Sequence, residues 1–222
     1  FMMLIFGLAS GAAMFTAQYW GKKDLQGIRS VMGISITLTL CISVVFTIVT
    51  MIVPGMIMRI YTSDLAVIEN GASYLFIIAL SFVIMSVTTS YAVVLRSTEN
   101  VIYPMIASIV GVILNTILNY LLIFGSLGFP ELGIRGAAIA TVIARSVEMF
   151  IILFITYFKK LPAASGLKDM FGFTKEMILH YLKRAVPVIL QSVGWSAGFS
   201  LYSAVYGHLD TGFLAAFNIA GS

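Results

Sequence analysis

Residues 108–150 read SIVGVILNTILNYLLIFGSLGFPELGIRGAAIATVIARSVEMF: two long apolar runs joined by a short Gly/Pro loop. Each run carries polar residues that hydrocarbon should reject. Asn115 and Asn119 are four apart on the first run, so a helix places them on one face with Ser108 and Gly111. On the second run Thr141, Arg145 and Glu148 follow at i, i+4 and i+7, again one face. Gly136, Ala140 and Ala144 make a small-xxx-small ridge beside it, which lets another helix approach closely. Polar groups in such runs are costly in lipid and belong to a bundle interior or a water-filled path.

Working outward, the composition agrees. The chain has 222 residues, 60% of them hydrophobic and 10% charged, with a mean hydropathy of +1.03. This implies an all-α, multi-pass membrane helix bundle in a lipid bilayer. The net charge of +4 sits in loops between apolar runs, so it points to topology and not to nucleic acid. The single cysteine, Cys41, lies inside an apolar run and excludes a disulfide framework. Phe1 and Ser222 both fall inside apolar runs, so the sequence is expected to be part of a longer chain; no charged segment marks a signal peptide.

Runs of spanning length are expected at about 1–20, 30–53, 72–95, 101–124 and 136–158, with a sixth from 185 and a seventh beginning near 213. Thr39, Ser43, Thr47 and Thr50 line one face of the second run, and their hydroxyls are expected to bond back to their own helix. Pro54 and Gly55 are expected to end the second span, and residues 56–71 to form a short segment lying in the interface. Residues 159–184 hold six of the thirteen Lys and Arg residues, and TKEMILHYLKRA within them suits an amphipathic helix lying in the membrane plane. Pro187 is expected in the first turn of the sixth span. Lys22, Lys23, Arg29, Arg96 and the six bases of 159–184 fall in one set of alternate loops. The opposite set holds only Arg59 and Arg135, so the basic loops are expected to be cytoplasmic and the first span to enter from outside.

Arg145 and Glu148 are the charges inside a span. They are either an ion pair that fixes helix rotation or a site where Glu148 answers to a cation. Asn115 and Asn119 either ligate or hydrogen-bond across helices. Gln191 and Trp195, one turn apart on the sixth span, are candidates for a cavity wall. His180 and His208 are isolated in expected loops, and no metal site is read into them. No HExxH, GxSxG or Walker motif occurs, so the chain is not read as an enzyme and no cofactor is expected.

Several stretches carry a resemblance. GLASGAAMFTAQYWGKKD (7–24), LRSTENVIYP (95–104), NTILNYLLIFG (115–125) with PELGIRGAAIAT (130–141), and AVPVILQSVGWSAGFSLYSAVYG (185–207) resemble the multidrug and toxic compound extrusion (MATE) family across nearly the whole chain. The resemblance implies a plasma (inner) membrane antiporter of two six-helix lobes around a central cavity, acting as a monomer. It would export small organic cations in exchange for H+ or Na+. Residues 1–158 would then be most of the first lobe, 159–184 the cytoplasmic linker and 185–222 the start of the second lobe. One branch of the family uses an Asn and an Asp four apart as part of a cation site; the matching residues are Asn115 and Asn119, so the acid is missing, and Thr141 matches a Thr of that site. Another branch has an acid on the seventh helix, where this chain has Trp195. A flippase for a lipid-linked sugar, from the same superfamily, is the alternative, although Arg145 is the lone base within a span.

Overall fold

In the computed structural model the described residues are 1–209, and every element among them is helical. In chain order these are α1 (Met2–Gly21), α2 (Leu25–Ile52), α3 (Pro54–Arg59), α4 (Leu65–Ile78), α5 (Leu80–Ser97), α6 (Ile102–Phe124), α7 (Gly133–Phe158), α8 (Leu167–Met170) and α9 (Lys175–Leu209). Five of them, α1, α2, α5, α6 and α7, are long and apolar enough to cross a membrane. The all-α membrane bundle expected from the composition is therefore present. The seventh expected span lies outside the described residues.

Local chemistry sets the helix ends. Asp24 caps α2, accepting a hydrogen bond from the Gly27 amide at 2.9 Å, so α2 starts five residues before the expected 30. Pro54 follows the end of α2 and occupies the first turn of α3, where its missing N–H costs nothing. Asp64 caps α4 through the Ala66 and Val67 amides. Gly125 ends α6 in the left-handed conformation, φ 65°.

Two expectations give way. The single span expected over 72–95 is instead α4 and α5, which meet at Ala79. The Ala79 carbonyl accepts from the Thr47 hydroxyl of α2 at 3.0 Å and from the Phe82 amide at 3.1 Å. A side chain inserted into the helical ladder is a recognised cause of such a break. Pro187 does not open a helix: it lies inside α9, which runs unbroken from Lys175. The apolar face of residues 174–185 packs on α1, with Tyr181 and Ala185 buried against Leu8 and Ala12. That docking holds the first turns of α9 helical ahead of the proline. His180 and His208 thus fall on a helix, not in loops.

The bundle has two apolar centres. Ile28 and Met32 of α2 meet Tyr91, Val94 and Leu95 of α5 and Ile152 of α7; Leu8, Val31, Ile34 and Tyr181 form the other. Between α2 and α5 runs a seam of hydroxyls. Ser35 donates to Ser90 at 3.3 Å, Thr39 and Ser90 share a bond of 3.2 Å, and Ser43 donates to Ser86 at 3.3 Å. Thr39 and Ser43 also bond back to their own helix, as expected, but the seam makes them cross-helix contacts as well.

Contacts at the helix ends sort the loops. Arg29 pairs with Asp169 at 3.1 Å, and Lys159 donates to the Tyr103 hydroxyl at 3.2 Å, so 21–29, 101–104 and 159–170 share one end. Arg135 donates to the Ser73 hydroxyl at 3.3 Å, joining 126–135 to α4 at the other.

Candidate functional site

α6 and α7 approach more closely than ordinary side chains permit. A Cβ at Gly136 would lie 2.4 Å from the Leu122 carbonyl oxygen of α6, a contact only glycine avoids. Ala140 and Ala144 continue this buried ridge along α7, as the small-residue spacing implied. The close approach brings the polar faces of the two helices together.

Three of the expected residues join in one chain. Asn119 donates to the Asn115 side-chain carbonyl at 3.1 Å, and Asn115 donates to the Thr141 hydroxyl at 3.3 Å. Thr141 then donates to the Ala137 carbonyl one turn back, at 2.9 Å. The chain uses one N–H of each amide and leaves an acceptor over: the Asn119 side-chain oxygen is buried without a hydrogen-bond partner. An unmatched buried carbonyl costs about 1–3 kcal/mol unless something binds it.

Beside this chain stands the ion pair. Arg145 reaches Glu148 at 2.7 Å. Glu148 is 7% exposed, whereas the Arg145 side chain is 39% exposed. Gly111 of α6 faces the carboxylate: a Cβ there would stand 3.5 Å from its oxygen, in ordinary contact. Gly111, Asn115, Thr141, Arg145 and Glu148 line one cavity of about 90 Å3. That is room for a few water molecules or a partly hydrated ion. The oxygen-bearing side chains in its wall are the Glu148 carboxylate, the Asn115 amide carbonyl and the Thr141 hydroxyl, a set that suits a hard cation or a proton carried by water. Among the described residues no cluster of three or more His, Cys, Asp or Glu side chains could hold a metal ion.

The remaining two candidates lie elsewhere. Gln191 and Trp195 are both exposed on α9, Trp195 by 73%, and α9 packs on α1, not on α6 or α7. The structure does not bring them to the cluster. The residue underweighted in the sequence is Gly111, which faces Glu148 across the helix pair; its signal is its position one helical turn from Asn115. Ser35 is the other omission, four residues before Thr39 on the seam.

Residues 1–121 match the MatE family profile. Over 198 residues the chain is 28% identical to the probable multidrug resistance protein YoeA of Bacillus subtilis, covering 87% of this chain and 42% of that protein. It is 29% identical over 156 residues to the probable multidrug resistance protein NorM of Thermotoga maritima, covering 70% of this chain and 33% of that one. The chain thus spans less than half the length of these relatives. Its fold superposes on a MATE crystal structure in the bent conformation with a TM-score of 0.79 at 24% identity, over 89% of this chain and 43% of that one. It also superposes on an inward-facing multidrug resistance MATE transporter of the MOP superfamily with a TM-score of 0.73 at 24% identity, over 92% and 48%. With the family's profile matched over more than half its residues, and the same bundle found in its solved structures, the chain belongs to the MatE family of multidrug and toxic compound extrusion transporters.

Proposed function

We propose that the protein is an ion-coupled secondary antiporter that exports small cationic or amphipathic organic compounds, with Asn115, Asn119, Thr141, Arg145 and Glu148 as its coupling cluster. One observation carries this reading: a buried, unpartnered amide oxygen on Asn119 stands in the same helix pair as the buried acid Glu148. Helix packing gains nothing from an open buried acceptor, whereas a bound cation would occupy it. H+ or Na+ is the coupling ion in this reading. The curated relatives that are named probable multidrug resistance proteins support the substrate class.

In the same reading, residues 1–158 belong to a first lobe, 159–184 connect it to a second, and 185–222 begin that second lobe. Gln191 and Trp195, exposed on α9, then belong to the wall that the second lobe contributes. The end of the bundle that gathers Lys22, Arg29, Arg96, Lys159 and Asp169 is the cytoplasmic one, because it holds most of the basic residues. The test is transport itself. The whole protein, reconstituted in liposomes, should move ethidium against its gradient when an opposing pH or sodium gradient is imposed. Ethidium movement equal with and without either gradient would reject ion coupling.

A further inference from the structure

A second cavity, of about 290 Å3, lies between the last turns of α1, the first turns of α2 and the first turns of α9. Three aromatic rings line it, and each is held in place. Tyr181 is buried and its hydroxyl donates to the Leu8 carbonyl of α1. Phe15 stacks beside Tyr181 with ring centroids 6.0 Å apart and planes 19° apart. Tyr19 seats against α2 where Gly27 has no side chain; a Cβ there would come within 2.4 Å of the ring. Met177 adds a polarizable apolar surface.

The charge in the wall is a single carboxylate. Glu176 lines the cavity, is exposed, and has no ion-pair partner among the described residues. Among the described residues no Lys or Arg lines it; Lys183 and Arg184 line a separate groove beyond His180. His180 turns one ring nitrogen to the Glu176 carbonyl at 3.1 Å, which orients the imidazole at the shared edge. The partly exposed rings of Phe15 and Tyr19, backed by the buried Tyr181, and an unpaired carboxylate attract a cation, and the apolar wall takes its substituents. A small ion would have to shed tightly held water to touch the apolar rings, whereas a bulky organic cation buries its own apolar substituents there, so the cavity favours the latter.

We propose that this cavity is a second subsite for amphipathic organic cations, separate from the α6/α7 cluster and placed at the end of the bundle that carries the basic segments. The proposal rests on the antiport reading above for its substrate class and on the α1/α2/α9 geometry for its place. If that end is cytoplasmic, the subsite is where a compound is first taken up.

Equilibrium dialysis of labelled tetraphenylphosphonium against the whole protein in lipid nanodiscs tests it. Two bound cations per protein are expected. Glu176→Gln and Tyr19→Leu should each weaken one of the two by about tenfold, the equivalent of a lost carboxylate or ring contact, and leave the other unchanged. Glu176 is exposed, so the first variant does not endanger the fold. An aromatic sulfonate of similar size should not occupy the subsite. A single bound cation in the wild type, or two whose affinities neither variant changes, overturns the proposal. If both variants still drive gradient-dependent ethidium transport and bind as the wild type does, only the subsite falls. If the wild type binds no tetraphenylphosphonium, the subsite falls together with the organic-cation reading.

Discussion

Removing Arg145 leaves the Glu148 carboxylate buried on α7 with no cation beside it. Breaking such a pair is costly, and here the exposure of Arg145 moderates the cost. We expect Arg145→Ala to destabilise the protein by about 1–3 kcal/mol, and the double variant Arg145→Ala/Glu148→Gln to recover most of that loss. Thermal unfolding in detergent, read as a double-mutant cycle, checks it. With Glu148→Gln as the second single variant, losses that simply add in the double variant would mean that the pair contributes nothing. At this scale the sequence was informative where one helix carries the whole pattern: Asn115 and Asn119, or Arg145 and Glu148, declare their shared face by spacing alone. It was silent where the partner lies far along the chain. Nothing in the spacing of Ser35, Thr39 and Ser43 names Ser86 and Ser90 as their partners across α5, and the unmatched oxygen of Asn119 appears only once its neighbours are placed.

Among the elements, α6 and α7 depend on the contact at Gly136. Lipid offers no hydrophobic force to press two spanning helices together, so close packing of small residues must do so. Gly136→Val drives a branched side chain into the Leu122 carbonyl and should cost about 1–3 kcal/mol by overpacking. It should separate the helices and, with them, Asn115 from Thr141. Ala140→Gly, which only loosens the ridge, should cost less. The two variants are compared by the yield of monodisperse protein and by melting temperature; equal losses would contradict the close approach at Gly136. The helices read best from sequence are α1, α6 and α7, whose apolar runs are bounded by charged, Gly or Pro residues. The break at Ala79 was not legible, because it is made by a hydroxyl of another helix, Thr47. The continuity of α9 through Pro187 was missed for a related reason. Proline is at ease in a first turn, and only the docking of Tyr181 and Ala185 on α1 extends the helix ahead of it.

For the whole molecule, the contacts at the bundle ends group the loops in the same two sets as the charge distribution does. Arg29 with Asp169 and Lys159 with Tyr103 define one end; Arg135 with Ser73 defines the other. If the basic end is cytoplasmic, a cysteine at Ser126 should react with an impermeant thiol reagent on intact cells, and one at Lys168 only after permeabilisation, both in a Cys41→Ala background. Labelling at 168 with none at 126 would invert the topology.

Coupling through the α6/α7 cluster is tested most directly by Glu148→Gln in the whole protein, reconstituted in liposomes and assayed for ethidium transport under imposed pH and sodium gradients. Glutamine keeps the side chain's size and its contact with Gly111 but takes up no ion by charge. The variant should remain folded and still bind tetraphenylphosphonium, and its transport should lose its dependence on both gradients. A well-folded Glu148→Gln protein that transports ethidium with the wild type's ion dependence would contradict a coupling role for Glu148.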